Sequence, residues 1–499
     1  MLFRRPFRTE AKGSKASAEK GGSGRSRRKG GIMEHTIKVY LTAMENDVRL
    51  REQENLQWKA DMPGNDGNEG HVLNVYDQVE YQEIMGFGGA FTQASAVNFF
   101  SLTDGQRQEV LDAYFDKEKG LGYNFCRLTI NSCDFSTEIY SYDDTPEDYE
   151  LKNFSIERDK EDVIPMVLAA KGKAPDLRLF ASPWSPPAWM KTNGRMDKGG
   201  CLRKECREAW AGYTARYLQA YEEEGIPIWG VTVQNEAKAE QGWESCHYEA
   251  GEERDFVTGY LKPAYEKAGL GDKKIFFWDH NKERMIEHVL TVLDEETMDM
   301  VAGIAFHWYS GDHFEAVELM KQKYPDKTFM LSECCALHMP GRIGFGDGGF
   351  GPVNFQTPEY VDYLDAADYA HDMIGNLNAG MNRWIDWNFL VDKDGGPRHV
   401  PMGFTSGLIV DDDFHYRKPI MYHYIGHISK YIAPGAKRIG WSKYGANLDV
   451  TAAVNPDGSY VVILLNRTKE DSGCFLRVNG HIMRVDLPAE TLSTVVIEK

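Results

Sequence analysis

The sequence predicts a (β/α)₈ (TIM) barrel over residues 83–410, attached to an antiparallel β-sandwich built from both ends of the chain. Two patterns lead to this prediction. Between residues 83 and 410, eight short apolar runs alternate with amphipathic stretches, which is typical of strand–helix units that close into a barrel. After residue 410, short β-rich runs are separated by turn sequences, which is typical of an antiparallel domain.

The eight apolar runs are the predicted barrel strands. Between them, the stretch from Trp210 to Tyr221 places apolar side chains at helical spacing, and such a face must pack against other apolar residues. An open doubly wound sheet is the competing α/β architecture. The glycines after Gly86 lack the G-x-G-x-x-G spacing of a phosphate-binding turn, which favours the barrel. The runs span residues 83–91, 123–134, 177–183, 226–236, 274–280, 300–309, 328–333 and 381–389.

Residues 1–32 differ in composition from the rest of the chain. They carry ten Lys and Arg against two acidic residues, so their net charge is +8 while the remainder carries −27. We predict a basic disordered leader, or an upstream extension of a chain that begins at Met33.

The flanks of the barrel supply the predicted sandwich. Residues 33–82 contain two strand-like runs, and residues 411–499 contain five. The turn sequences Asn455-Pro-Asp-Gly and Asn479-Gly are typical of hairpins. The predicted strands span residues 37–41, 72–76, 448–454, 460–466, 474–478, 482–485 and 491–497.

Composition narrows the possible partners. A hydrophobic fraction of 42% is enough for a sizeable core, and a net charge of −19 argues against a nucleic-acid partner or an anionic membrane surface. No apolar run approaches the ~20 residues of a membrane span. Residues 1–32 also lack the apolar stretch of a signal peptide, so we predict a cytoplasmic location. The oligomeric state is left open.

The eight cysteines are scattered and form no C-x-x-C motif, which favours reduced, buried thiols over a disulfide framework. The adjacent pair Cys334 and Cys335 cannot complete a tetrahedral metal site alone. The 14 histidines are dispersed, which argues against a metal-dependent barrel hydrolase. We predict no metal.

Two carboxylates end otherwise apolar predicted strands. Glu236 closes the fourth run and Glu333 closes the seventh. Strand C-termini meet at one mouth of a barrel, and a carboxylate buried there is costly unless it is paired. Either residue alone is typical of a structural ion pair, whereas the two together indicate a shared site. Such a pair suits glycoside hydrolysis, in which one carboxyl donates a proton and the other stabilises or attacks the anomeric carbon.

Aromatic side chains accompany these carboxylates. Sugar rings have apolar faces, and Trp offers a broad surface with one donor at its edge, so a cluster of Trp at strand ends favours a carbohydrate site over core packing alone. Six of the 11 Trp lie near predicted strand ends: Trp184, Trp189, Trp243, Trp308, Trp384 and Trp387.

Ordered motifs from residue 83 to the C-terminus resemble the glucosylceramidase branch of glycoside hydrolase family 30. The resemblance implies a (β/α)₈ barrel fused to a β-sandwich, retention of anomeric configuration and no cofactor. The motifs are Met85-Gly-Phe-Gly-Gly-Ala, Ser132-Cys-Asp-Phe-Ser, Ala181-Ser-Pro-Trp-Ser-Pro-Pro, Val231-Thr-Val-Gln-Asn-Glu, His307-Trp-Tyr, Leu331-Ser-Glu-Cys, Trp384-Ile-Asp-Trp-Asn, Gly395-Gly-Pro and Lys418-Pro-Ile-Met-Tyr-His.

The resemblance also implies roles for the matching residues. Glu236 would be the acid/base and Glu333 the nucleophile, with Arg127 beneath the nucleophile to favour its ionised form. Asn235 would bind the sugar 2-hydroxyl. Asp134 and Trp184 would bind hydroxyls on the far side of the ring, and Trp387 would form the pocket wall. Tyr309 would hydrogen-bond the carboxylate pair, and Trp243 would lie near the mouth. His307 would either contact the sugar or support residues that do.

Two departures bear on the substrate. The Asn-Glu-Pro of the family is Asn235-Glu236-Ala237 here, which removes a backbone constraint but no reacting atom. The loop 238–246 is shorter than in lysosomal members, and such loops select the aglycone. We therefore predict hydrolysis of smaller β-glucosides by a bacterial-type relative. The alternatives are a β-xylosidase, β-fucosidase or β-1,6-glucanase of the same family and, in a different class, a non-catalytic carbohydrate-binding barrel.

Overall fold

The computed structural model describes residues 36–44, 48–53, 58–61, 70–336, 358–400 and 404–498. The predicted basic leader lies outside these ranges. The described N-terminal part consists of strands that join the later sandwich. They are β1 Ile37–Ala43, β2 Arg51–Gln53, β3 Lys59–Ala60 and β4 Val72–Ile84.

Eight parallel strands form a closed barrel, in which each strand pairs with the next along the chain and the last pairs with the first. Each of them overlaps one of the eight apolar runs, so the predicted barrel is confirmed. The strands are β5 Gly86–Phe91, β6 Phe125–Ile130, β7 Arg178–Pro183, β8 Gly230–Thr232, β9 Lys274–Asn281, β10 Gly303–His307, β11 Thr328–Glu333 and β12 Arg383–Asp386.

Helices alternate with these strands and pack around them. Trp210, Tyr213, Tyr217 and Tyr221 are buried on one face of α4, as their spacing predicts. None of the helices in the described ranges is long and apolar enough to cross a membrane. The helices are α1 Gln93–Ser101, α2 Asp104–Phe115, α3 Val163–Lys173, α4 Arg207–Glu223, α5 Ala250–Phe256, α6 Lys262–Lys267, α7 Met285–Val292, α8 Phe314–Lys323, α9 Pro358–Ala379 and α10 Ile420–Ser429.

The remaining strands form a small sheet and the sandwich. The sandwich combines both chain ends, since β1 pairs antiparallel with the last strand along seven residues. Its pairings are antiparallel except between β4 and β19, which run parallel. The small sheet contains β13 Leu390–Asp392, β14 Leu408–Val410 and β15 Tyr416–Arg417, and the C-terminal sandwich strands are β16 Ala436–Tyr444, β17 Asp449–Val454, β18 Tyr460–Asn466, β19 Ser472–Val478, β20 His481–Leu487 and β21 Thr491–Ile497.

Strand β16 is not among the predicted strands. It carries Gly440 and two lysines, residue types that are depleted in strands, yet it makes a long pairing with β4. The tertiary partner therefore overrides a weak local preference. The small sheet and α10 lie between the last barrel strand and β16, and the domain boundary after residue 410 stays a prediction.

One apolar layer fills the barrel interior below the mouth. Each of six strands contributes one fully buried side chain to it, which excludes water from the base of the barrel. Burial of a large apolar side chain stabilises the fold by about 1.5–3 kcal/mol. The layer consists of Phe125, Phe180, Phe276, Ala305, Met330 and Ile385.

Candidate active site

The next layer of the barrel interior is polar. Side chains two residues apart point to the same side of a strand. Arg127 therefore follows Phe125 into the interior on β6, Ser182 follows Phe180 on β7, and Ser332 follows Met330 on β11. All three polar side chains are buried.

Arg127 is the centre of this polar layer. Its Nη1 donates to Oε2 of Glu333 at 2.7 Å, and its Nη2 donates to Oδ2 of Asp279 at 2.8 Å. Nη2 also donates to Oδ1 of Asn235 at 2.9 Å, while Nε donates to Oγ of Ser182 at 3.0 Å. One guanidinium thus pairs two buried carboxylates, which makes their burial tolerable.

Asp279 reaches the interior through a bulge in β9. Trp278 and Asp279 have φ angles of 73° and 45°, and the pairing register with β10 shifts at this point. The bulge turns Asp279 towards Arg127 and packs Trp278 against His288, with ring centroids 4.6 Å apart. Burial opposes ionisation of Asp279, but Arg127 and His307 outweigh it and lower its pKa.

His307 lies between Asp279 and Glu236. Its Nε2 is 3.1 Å from Oδ1 of Asp279, and its Nδ1 is 3.3 Å from Oε1 of Glu236. Burial lowers the pKa of His307, but the surrounding carboxylates, Glu333 foremost, outweigh burial and raise it to about 9. Because Asp279 is a buried anion, Nε2 of His307 carries a hydrogen. A single proton then lies between Nδ1 of His307 and Oε1 of Glu236.

Glu236 follows β8 with a left-handed backbone, at φ 49°. Burial raises the pKa of its carboxyl, but the hydrogen bond to His307 and the charge of His280 outweigh burial and lower it to about 2. Gln241 donates from Nε2 to Oε2 of Glu236 at 3.1 Å. A residue of the following loop therefore fixes the carboxyl that faces His307.

Glu333 ends β11 and has a different set of partners. Tyr309 donates to its Oε1 at 2.8 Å, while Arg127 binds the other oxygen. Burial and the carboxylate of Glu236 outweigh the charges of His307 and Arg127 and the hydrogen bond from Tyr309, so the pKa of Glu333 is raised from its ordinary value. Both described hydrogen-bond partners of this carboxyl are nevertheless donors, which suits its ionised, acceptor-only form.

A cavity of about 200 Å³ opens above these two carboxyls. This is below the roughly 300–1,000 Å³ of pockets for drug-sized ligands and suits one sugar ring. Trp184 and Trp387 form one side, with stacked rings whose centroids are 5.0 Å apart. The described lining residues are Asp134, Trp184, Asn235, Glu236, Gln241, Trp243, Asn281, Tyr309, Glu333, Trp387 and Phe404.

Two family models match the chain. The "Glycosyl hydrolase family 30 TIM-barrel domain" matches residues 84–432, and the "Glycosyl hydrolase family 30 beta sandwich domain" matches residues 435–495. The chain belongs to glycoside hydrolase family 30. It is therefore a glycoside hydrolase with a carbohydrate substrate, and the family resemblance seen in the sequence is confirmed.

Relatives of this family 30 enzyme include two proteins named glucosylceramidase, each 33% identical. Putative glucosylceramidase 3 of Caenorhabditis elegans matches over 94% of this chain and 90% of its own. Lysosomal acid glucosylceramidase of Mus musculus matches over 81% and 78%. The solved structure of SrfJ from Salmonella typhimurium superposes with a TM-score of 0.85 at 32% identity, covering 93% of this chain and all of that one.

A more distant relative carries a different name. Endo-1,6-β-D-glucanase BGN16.3 of Trichoderma harzianum is 26% identical over 83% of this chain and 84% of its own.

The structure brings all ten predicted site residues of this family 30 enzyme together. Eight line the cavity, while Arg127 and His307 lie behind it in contact with the two glutamates. Their roles stay predictions. The eight are Asp134, Trp184, Asn235, Glu236, Trp243, Tyr309, Glu333 and Trp387.

The sequence prediction missed Asp279, Asn281, Gln241 and Phe404. Asp279 and Asn281 lie at the end of the fifth barrel strand, so the rule that strand ends meet at the barrel mouth applies to them as well. Gln241 and Phe404 lie in loops, where no periodic pattern marks a side chain that lines the cavity.

Proposed function

We propose that the chain is a retaining β-glycoside hydrolase that removes single β-glucosyl residues through a covalent glycosyl-enzyme. The proposal rests on one observation: Glu236 and Glu333 line the same cavity but have different hydrogen-bond partners. Glu333 is held by the donors Arg127 and Tyr309, whereas Glu236 faces His307 across a proton. These surroundings support Glu333 as the nucleophile and Glu236 as the acid and base.

In the first step, an oxygen of Glu333 attacks the anomeric carbon while Glu236 gives a proton to the departing oxygen. In the second step, Glu236 takes a proton from water, and that water displaces Glu333. Both steps invert the anomeric carbon, so the configuration is retained overall. This mechanism requires the two carboxyl groups to lie ~5–5.5 Å apart.

The Glu236–His307 pair supplies the proton of the first step. The pKa of Glu236 is lowered by its hydrogen bond to His307, and that of His307 is raised by the surrounding carboxylates, so both shifts favour a proton on His307 in the free enzyme. Transfer from Nδ1 to Oε1 creates the acid form of Glu236, while Asp279 holds the other ring nitrogen. His307 is thus a positioning residue and proton reservoir.

The cavity offers separate groups to the sugar. Oδ1 of Asn235 accepts a hydrogen bond from Nη2 of Arg127, which leaves the amide N–H groups of Asn235 to donate to the 2-hydroxyl. Asp134 is buried at the other side, where its carboxyl can accept from hydroxyls of the ring. Trp184 and Trp387 present apolar surface to the ring. A cavity for one ring supports removal of terminal sugars.

The relatives named glucosylceramidase support a β-glucoside over other sugars. The short loop that carries Gln241 and Trp243 supports a smaller aglycone than ceramide. The second candidate is a β-1,6-glucanase, favoured by the relative of that name; β-xylosidase and β-fucosidase activity are further outcomes of the same substrate panel. The cytoplasmic location stays a prediction.

Azide rescue tests the two roles. Glu236→Ala should form the glycosyl-enzyme from dinitrophenyl β-glucoside, whose leaving group needs no proton, and then stall. Azide should restore turnover and yield the β-glucosyl azide, because azide needs no base. Glu333→Ala should lose turnover on every glycoside, and any azide product should have the α configuration. If Glu236→Ala gave the α-glucosyl azide and Glu333→Ala gave the β-glucosyl azide, the roles of the two glutamates would be the reverse of those proposed.

The substrate is tested on a panel of aryl β-glucoside, β-xyloside and β-fucoside together with a β-1,6-glucan. NMR should show the β anomer of glucose released first. Glu83→Gln is the control, since Glu83 pairs with Lys437 just before the first barrel strand, at the end of the barrel opposite the cavity. Release of the α anomer first, or rapid cleavage within the glucan, would contradict the proposal.

A further inference from the structure

Three loops of the barrel meet beside the cavity at His399. The backbone N–H and Nδ1 of His399 each lie 2.9 Å from the carbonyl oxygen of Ser136. Its Nε2 lies 3.3 Å from Oε2 of Glu244. Ser136 belongs to the turn that carries Asp134, and Glu244 directly follows Trp243, so both neighbouring residues line the cavity.

The geometry fixes the protonation of His399. A carbonyl oxygen only accepts hydrogen bonds, so Nδ1 carries a hydrogen. Nε2 faces a carboxylate, and two lone pairs at this distance would repel each other. The side chain of Glu244 is 0% exposed, so solvent does not screen it. The 3.3 Å contact is an ion pair that is not aligned as a hydrogen bond, because among the described residues neither oxygen of Glu244 nor Nε2 of His399 has a hydrogen-bond partner.

We propose that protonated His399 and ionised Glu244 form a buried ion pair, here called the clasp, that holds the turn of Asp134 against the loop of Trp243, and that both are positioning residues for sugar binding. The proposal rests on the proposed function for its sugar. It goes beyond that function because it assigns two residues and a pH dependence of substrate binding that the catalytic pair does not require.

The positive charge of protonated His399 also balances the acidic groups around it. Glu244 lies near Asp134, whose pKa is raised well above its ordinary value by burial and by the carboxylates of Glu333, Glu244 and Glu236. Cys133 and Lys191 also face Glu244, and Arg398 faces Asp134. Loss of the proton from His399 removes one positive charge from this buried group.

The sign of the pH dependence follows. Burial lowers the pKa of His399, but Glu244, the Ser136 carbonyl and Asp134 outweigh burial and raise it. The clasp is therefore complete at pH values below the ordinary range of histidine, and it is lost as pH rises through the raised pKa. KM for an aryl β-glucoside should increase over that window by about tenfold, because the ion pair no longer holds together the two loops that carry Asp134 and Trp243.

The protonation state can be tested without substrate. Histidine labelled with ¹³C at Cε1 is incorporated, and the His399 signal is assigned by its loss in His399→Gln. At pH 7 this signal should have the shift of an imidazolium, and it should titrate at higher pH than in Glu244→Ala. A neutral ring at pH 7 would overturn the clasp, whatever the enzyme hydrolyses.

The role in binding is tested by the conservative variant. In Glu244→Gln, the side-chain amide can donate to Nε2 of neutral His399, so the contact persists without the extra proton. KM should then lose its rise with pH, while the pH profile of kcat stays that of the catalytic pair. In Glu244→Ala, KM should be raised about tenfold at every pH.

The matched control is His371→Gln. His371 is also held between two carboxylates, Asp312 at 3.1 Å and Asp449 at 2.7 Å, but it lies on α9 away from the cavity. Its KM profile should match that of the wild type. If Glu244→Gln keeps the wild-type rise of KM, or if His371→Gln removes it, the clasp does not govern binding. An imidazolium signal without sugar turnover would reject the proposed function and leave the clasp standing.

Discussion

Two adjacent layers of the barrel interior differ completely in chemistry although the same strands supply them. Phe125, Phe180 and Met330 lie in the lower layer, and the residues two positions further along, Arg127, Ser182 and Ser332, lie in the upper layer. The apolar layer excludes water from below. The upper layer can therefore hold charges at low dielectric, where each hydrogen bond and ion pair is stronger.

The two buried arginines of the barrel show the same contrast. Arg127 binds Glu333 and Asp279 in the upper layer. Arg383 begins β12 at the opposite end, where its guanidinium lies 3.9 Å from the ring centroid of Phe125, and its Nε has no hydrogen-bond partner among the described residues. Burial lowers the pKa of Arg383 to about 9. One arginine organises a site, whereas the other packs against aromatic rings.

Replacing Arg127 should have the largest effect. Arg127→Met removes the guanidinium that two buried carboxylates share, so the free energy of unfolding should fall by about 3–5 kcal/mol. kcat/KM should fall by about 10²–10³-fold, since a preorganised donor to Glu333 is lost. Urea unfolding and rates on an aryl β-glucoside measure both. Arg383→Met should change the free energy of unfolding by less than about 1.5 kcal/mol. An equal loss of stability in the two variants would contradict the proposed difference between the two arginines.

A change in the apolar layer should separate stability from activity. Phe180→Ala removes a fully buried ring and leaves a cavity, which should lower the free energy of unfolding by about 3–5 kcal/mol. The folded variant should keep kcat/KM within about tenfold, because no group that contacts the sugar is lost. A loss of activity as large as that of Arg127→Met, measured well below the melting temperature, would show that the layers are not independent.

The charge of His307 should make stability depend on pH. Its pKa of about 9 lies above the ordinary 6.5, so the stabilisation is complete below pH 6.5 and is lost as pH rises through 9. The free energy of unfolding of the wild type should fall by roughly 1–3 kcal/mol across this window. His307→Gln should abolish that decline, while His288→Gln, at another buried pair, should keep it. An unchanged decline in His307→Gln would contradict the assignment.

The smallest effect concerns the rim of the upper layer. A hydrogen bond from a neutral group to a carboxylate contributes about 1.5–3 kcal/mol, so Asp134→Ala should lose at least about tenfold in kcat/KM on β-glucosides. If Asp134 binds the hydroxymethyl group, the loss should be smaller on β-xylosides, which lack it. Equal losses on both sugars would place Asp134 on another hydroxyl or in the scaffold.

Much of the barrel was predictable because its signal is local. A buried strand needs a short apolar run, and β11 coincides with the run 328–333. The ends of the apolar runs then located Glu236, which follows β8, and Glu333, which ends β11, because parallel strands of one barrel must end at the same mouth. Strand β16 was not predictable in this way, since its stability comes from the pairing with β4, more than 350 residues earlier in the chain.

The sequence by itself determined which residues reach the barrel mouth, because alternation along a strand follows from the covalent geometry of the backbone. The tertiary structure decided which of them meet. Strict alternation from Phe276 places Trp278 inside, but the bulge in β9 turns Asp279 inward to Arg127. Likewise, His399 and Glu244 come together only because separate loops pack against each other. Bulges and loop contacts depend on neighbouring strands and distant side chains, and no local pattern in the sequence encodes them.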